Sequence, residues 1–226
     1  MGDFVYGGVI VSNCDLHIDT YKPADMPMAY GANNHGSIVQ IKDQWYIFYH
    51  RHTNGSWYSR QGCAEPISIA EDGSIEQVEI TSCGLNGGPL AGQGEYPAYL
   101  ACHLFTDEPS MYVGGDAFPK VMQDGKDGDE EIGYVGNVQN SATIGFKYFD
   151  MKNVKKIRVT MRGYISGNIE VRLTWDGDVL ASLPIEFTNV WETYESEIEI
   201  PDGIHSLYFT FRGDGNGALK SFELLV

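Results

Sequence analysis

The side chains best suited to chemistry lie early in the chain. His35 follows Asn33-Asn34 and precedes Gly36 at the mouth of an apolar run; His50, Arg51 and His52 close the next run, and Arg60 follows soon after. An imidazole at such a strand mouth can orient a carboxylate or coordinate a metal. A guanidinium suits the clamping of hydroxyls and carboxylates. Adjacent residues of a strand face opposite sides, so His50-Arg51-His52 does not read as a metal cluster. The carboxylates nearest these groups, Asp3, Asp15, Asp19 and Asp25, lie in or beside a stretch with Pro23 and Pro27 and read as solvated loop groups. Cys14, Cys63, Cys83 and Cys102 make no Cys-x-x-Cys pair, so they read as buried or free thiols; zinc is not indicated and the spacing does not argue for disulfides.

These residues sit on strands. Ser37 to Ile41 and Trp45 to His50 are β-branched and aromatic runs separated by Lys42-Asp43-Gln44, which predicts a hairpin. Cys63 to Ile69 and Ser74 to Thr81 flank Asp72-Gly73, a turn signal because both positions tolerate positive φ. Four consecutive antiparallel strands make one propeller blade or one meander. Residues 4–12 predict one further strand. The five glycines in residues 82–96 predict a linker or domain boundary. Beyond it, strands recur: Gly133–Gln139, Thr143–Asp150, Lys156–Gly163, Ile169–Trp175, Val179–Ile185, Thr193–Ile200, Ser206–Arg212 and Leu219–Leu225. Alternation such as Ile157, Val159 and Met161 against Lys156, Arg158 and Thr160 predicts a two-sheet sandwich, a jelly roll. No run of more than about ten residues holds a 3.6-residue apolar period, so the expected class is all-β.

Composition excludes several partners. The 226 residues carry a net charge of −16, which argues against a nucleic acid, whose phosphates need Lys and Arg. With 42% hydrophobic residues the chain should fold. Met1-Gly2-Asp3-Phe4 lacks the basic and apolar regions of a signal peptide, and no apolar run reaches the length of a membrane span. The compartment, extracellular or cytoplasmic in a bacterium, stays open.

Asn33-Asn34-His35-Gly36-Ser37, Gln44-Trp45-Tyr46-Ile47-Phe48-Tyr49-His50-Arg51 and Ser59-Arg60-Gln61-Gly62-Cys63 resemble glycoside hydrolase family 43, five-bladed propeller arabinofuranosidases and β-xylosidases. From about residue 97 the chain resembles a family 6 carbohydrate-binding module, through Gly133-Tyr134, the Gly145–Asp150 strand, Asn189-Val190-Trp191 and Gly213–Leu224. The resemblance implies residues 1–92 as the C-terminal remnant of a propeller, a four-stranded blade plus one strand, and residues 93–226 as a sandwich module. It implies an inverting hydrolase, whose base and acid stand roughly 6.5–9.5 Å apart. The carboxylates of that pair lie on earlier blades, so no catalytic residue is assigned here.

By the same resemblance, His35 is the histidine at the propeller axis and Arg60 the arginine that reaches the buried sugar subsite. Tyr134 and Trp191 match two loop aromatics that sandwich a sugar, whose C–H faces stack on rings. Trp175, at a strand end, reads as core or turn packing. Asn216 is the candidate for an asparagine that bonds the ligand, provided the loop shifts by about two residues; otherwise Ala218 stands there. A structural calcium is implied, but Ala101, His103 and Lys220 occupy its neighbourhood. The acidic run Asp124–Glu131 is the other candidate for calcium and reads as a solvated loop.

Three readings follow. The chain is a fragment that binds xylan-type oligo- or polysaccharide and is inactive alone. It is an arabinofuranosidase or xylosidase completed by a separate N-terminal part or by oligomerisation. Or it is a structural sandwich with no ligand. A lone blade leaves sheet faces and edges uncovered, so the first 92 residues are expected to pack on the sandwich, self-associate or pair with the missing blades.

Overall fold

In the computed structural model, residues 5–13, 15–16, 33–107, 117–125 and 133–226 are described. The predicted hairpin is present. Strands β1 (Ser37–Ile41) and β2 (Gln44–Arg51) pair antiparallel about Lys42 and Asp43, with Lys42 at φ 54°. β3 (Gln61–Ile67) adds on the far side of β2, giving a three-stranded sheet.

The expected fourth strand is not a ladder strand. Residues 74–81 form no ladder with β3; their backbone pairs with the chain just after it through the bridge Ile69↔Ile75. Their later amides are taken elsewhere: Val78 donates to the Ile10 carbonyl, Ile80 to Asp15 Oδ1 and Thr81 to Glu65 Oε1. Side-chain carboxylates have replaced a neighbouring backbone. The strand expected at residues 4–12 is likewise absent from residues 5–13.

The glycine-rich stretch is no free linker. β4 (Leu90–Ala91) pairs parallel with β9 (Thr143–Met151), and β5 (Gly94–Pro97) pairs with the last strand of the chain. The sandwich sheet therefore takes residues from Leu90 onward. Its other strands are β6 (His103–Phe105), β7 (Lys120–Gln123), β8 (Gly133–Val138), β10 (Lys156–Arg172), β11 (Ala181–Ile185), β12 (Thr188–Glu197) and β13 (Gly203–Leu225).

β10 and β13 each join two of the expected strands into one. They run antiparallel from Lys156↔Leu225 to Arg172↔Tyr208. One end of this ribbon pairs with β12 and β5, the other with β11 and β9. A single bent ribbon thus serves both layers. The core between them holds Ile157, Val159, Met161, Phe146, Phe209, Phe211, Phe222 and Leu224, all at most 1% exposed.

The bend explains why turn signals stand inside strands. Gly163 faces Gly217 and Gly167 faces Gly213 across the ribbon. At Gly215, φ is +92°, and a Cβ there would lie 1.9 Å from the Tyr164 carbonyl oxygen. No side chain fits such an approach. Gly215→Ala is expected to cost about 2–3 kcal/mol in urea unfolding. Gly62→Ala, where an added Cβ meets nothing within 4 Å, is the control and should change little.

Candidate functional site

The N-terminal sheet and the sandwich are joined by buried charge. Asp15 is 5% exposed, not solvated as the sequence suggested. Its Oδ1 accepts from the Leu16 and Ile80 amides at 2.8 and 2.7 Å; its Oδ2 accepts from His103 Nε2 and Lys147 Nζ, both at 2.7 Å. Lys147 also reaches Glu79 Oε1 at 2.7 Å, and the Tyr148 hydroxyl donates to the same oxygen. Asp3, Asp19 and Asp25 lie outside the described residues.

Burial alone would raise the Asp15 carboxyl. The His103 hydrogen bond and the Lys147 charge outweigh it and hold the group well below the usual carboxylate range. Burial pushes His103 down, so the ring is neutral at neutral pH. One tautomer satisfies both neighbours: Nε2–H donates to Asp15, and Nδ1 accepts from the Tyr208 hydroxyl at 2.9 Å. Tyr208, His103 and Asp15 resemble a proton relay in outline, yet each is at most 5% exposed. The arrangement is a clamp between the two parts of the chain.

The calcium implied by the resemblance finds no fitting donors here. His103 is bonded to Asp15 and Tyr208, the Ala101 side chain has no donor atom, and Lys220 brings an ammonium. Of the acidic run, Asp124 is described and is bonded to Arg162 and Tyr134. Among the described residues, no group of three or more His, Cys, Asp or Glu side chains is arranged to hold a metal ion.

The histidines come together. His35 and His50 have ring centroids 4.6 Å apart, His50 and His52 5.2 Å, and His52 and Trp57 5.8 Å. Two-residue spacing puts His50 and His52 on one face of β2. His52 is fixed by the Ser56 carbonyl at Nδ1 and by Asn33 Oδ1 at Nε2. Burial lowers the His50 pKa, and the neighbouring His35, His52 and Arg60 lower it further. His35 and Arg60 thus share one patch around His50.

No carboxylate pair faces that patch among the described residues. Arg51 and Tyr49 project from the other face of β2, where Tyr49 donates to Glu65 Oε1 at 3.2 Å. Glu65 is 1% exposed; burial raises its carboxyl to about 7 despite the bonds from Thr81 and Tyr49.

The sandwich carries an open groove of about 520 Å³. β7 and β8 form one wall and the bend of β10 and β13 the other. Tyr134 and Asn216, both named from the sequence, line it, as does Ala218. The Asn216 Nδ2 donates to Asn137 Oδ1 at 2.9 Å.

Tyr134 and Trp191 meet, but edge to face, with centroids 5.6 Å apart and planes at 63°. The Arg162 guanidinium lies 4.2 Å from the Trp191 centroid and 5.2 Å from that of Tyr134. Asp124 holds it at 2.7 Å and also accepts from the Tyr134 hydroxyl. Trp175 sits in the turn after β10, not in the core: it is 36% exposed and makes an edge contact with Phe105.

Sequence reasoning missed Arg162, Tyr164 and Phe187. It ended a strand at Gly163, which left Tyr164 outside any strand and Arg162 as a strand residue with no role assigned. The alternation of Ile165 and Ile169, both buried, was the signal that the strand continued.

The groove is also tied to the N-terminal sheet. Val121 of β7 donates to the Thr53 carbonyl at 2.9 Å and accepts from Asn54 Nδ2 at 2.7 Å. The loop that follows the histidine patch therefore abuts a wall of the groove.

Residues 121–224 match the family model for the carbohydrate binding module (family 6). The chain is 61% identical over 227 residues to a xylosidase/arabinosidase of Thermoclostridium stercorarium, covering 98% of this chain and 48% of that protein. It is 26% identical over 237 residues to an arabinoxylan arabinofuranohydrolase of Paenibacillus polymyxa, covering 96% of this chain and 35% of that protein. A crystal structure of a glycoside hydrolase family 43 arabinoxylan arabinofuranohydrolase from Bacillus subtilis, in complex with cellotetraose, shares the fold. Its TM-score is 0.58 at 21% identity, over 99% of this chain and 45% of that one. The chain spans less than half the length of each of these relatives. Along almost its whole length the chain is thus similar to part of a xylosidase/arabinosidase and of an arabinoxylan arabinofuranohydrolase, and its residues 121–224 match the family 6 carbohydrate-binding module.

Proposed function

We propose that the chain binds a xylan-type oligo- or polysaccharide through the groove of its sandwich and hydrolyses nothing by itself. The observation that carries this reading is the groove: Tyr134, Asn189 and Asn216 line one concave surface, with Trp191 against Tyr134, inside the segment that matches the module family. Ring faces stack on the C–H faces of a neutral sugar, and amides serve its hydroxyls. The names of the relatives, a xylosidase/arabinosidase and arabinoxylan arabinofuranohydrolases, favour a pentose polymer as ligand. The unliganded-sandwich reading is less well supported: Tyr134 is only 8% exposed, but a groove opens beside it.

In this reading residues 1–92 are the remnant of a propeller and β1 to β3 come from its last blade. β1 is exposed throughout, with Ile38, Val39 and Ile41 each 37–42% exposed. That uncovered edge and face are what other blades, or a second copy, would cover. A second reading, an enzyme completed by a separate part, is favoured by the cluster of His35, His50 and Arg60. It lacks an acid and base in the described residues.

Affinity electrophoresis in xylan tests the first reading. The parent should be retarded, and Asn216→Ala, which removes an amide from the groove wall, should bind about tenfold more weakly, which corresponds to about 1.4 kcal/mol. A parent that runs unretarded rejects it. Release of arabinose or xylose from an aryl glycoside by the purified chain alone would instead favour the enzyme.

A further inference from the structure

Tyr164 is 76% exposed and Phe187 56% exposed, and their rings lie 4.7 Å apart with planes 32° from parallel. Large apolar side chains scattered singly on a surface need no explanation, whereas two exposed rings in tilted contact, one of them lining a groove, do. Tyr164 lines the groove and stands opposite Asn216 in the ribbon register. A flat ring and an amide therefore sit side by side on one wall.

The gap between Tyr134 and Trp191, by contrast, holds no room for a sugar. A pyranose between two rings needs two contacts of about 3.5–4.0 Å, hence centroids about 7–8 Å apart. The observed separation is 5.6 Å, at 63°, and the Arg162 guanidinium already covers both rings. Asp124 fixes that guanidinium. The closed pair buttresses the groove, and the stacking surface left open in it belongs to Tyr164.

We propose that Tyr164, backed by Phe187, is the stacking platform for a sugar ring of a neutral β-linked xylo-oligosaccharide, with Asn216 bonding a hydroxyl of the same ring. This rests on the groove being the carbohydrate site, and it moves the sugar from between Tyr134 and Trp191 to the opposite wall. The ligand lies along the groove over several rings, so affinity rises with chain length and a single xylose binds poorly.

Isothermal titration of the full chain with xylose and with xylotetraose tests it, using the parent, Tyr164→Ala, Tyr164→Phe and Trp191→Ala. An exposed ring contributes little to folding, so Tyr164→Ala should melt with the parent. It should bind xylotetraose about tenfold more weakly, while Tyr164→Phe binds as the parent does, since stacking needs the ring and not the hydroxyl. If Tyr164→Ala binds as the parent does and Trp191→Ala does not, the sugar enters between Tyr134 and Trp191; the platform is then wrong and the groove reading stands. If the parent binds no oligosaccharide, both fall. Self-association of the parent that Tyr164→Ala abolishes would show the platform to be a protein contact and overturn the proposal.

Discussion

Lys147→Met is expected to lower the unfolding free energy by about 3–5 kcal/mol, because it leaves a buried carboxylate without its counter-charge. Lys147 Nζ is bonded to Asp15 and Glu79 at 2.7 Å each, and its side chain and that of Asp15 are each 5% exposed. At this chain length the loss corresponds to a fall in Tm of about 6–20 °C. The pairing is also an attachment, since Asp15 and Glu79 come from the N-terminal part and Lys147 from β9. The variant should therefore expose the first part to proteolysis before the sandwich. Asp15→Asn combined with Lys147→Met removes both charges and should recover part of the loss, a coupling that a double-mutant cycle reads directly. Lys152→Met is the control. Lys152 is paired with Asp150 but is 75% exposed, and such a pair contributes at most about 1 kcal/mol. Equal effects at the two lysines would refute the clamp.

Glu65 is expected to make the chain less stable as pH rises through the neutral range. Burial raises its carboxyl from the ordinary 4.5 to about 7. Between those values the folded chain holds a proton that the unfolded chain has released, so stability falls with rising pH across that window and levels off above it. The gap corresponds to about 3 kcal/mol. Glu65→Gln keeps the shape and the acceptor for the Thr81 amide, and abolishes the titration. His103 acts in the opposite sense below its ordinary value of 6.5, since the unfolded chain binds a proton there that the buried ring refuses. The quantity to measure is therefore the difference between parent and variant. Urea unfolding at about pH 5 and about pH 8 should show the parent losing about 3 kcal/mol relative to Glu65→Gln. Parallel pH profiles would mean that Glu65 is ionised when folded and that the Tyr49 and Thr81 hydrogen bonds suffice to hold its charge.

Alternation and turn chemistry are local properties, and they were legible without coordinates. Lys42-Asp43 predicted the first hairpin, and the period-two pattern of Ile157, Val159 and Met161 placed one inner face of the sandwich. The pairing of residues 74–81 was not legible in the same way. Asp72-Gly73 did make a turn, but whether the returning chain joins a ladder depended on Asp15 and Glu65, which take its amides from far away in sequence. Gly163 and Gly213 to Gly217 read as strand ends because glycine is a turn residue. In the tertiary structure they are contact points where two strands cross too closely for a side chain.

The chain's own residues determined its all-β class and pointed to Tyr134 and Asn216 among the groove side chains, because these follow from periodicity, composition and short motifs. Only the folded arrangement decided which charges are buried and which rings are free. Asp15 became a clamp because residues far apart in the chain closed over it. The Tyr134–Trp191 gap became filled because Arg162, an unremarked strand residue, was carried by the bend of β10 onto both rings. Burial and ring separation are set by contacts between distant segments, and no local pattern encodes them.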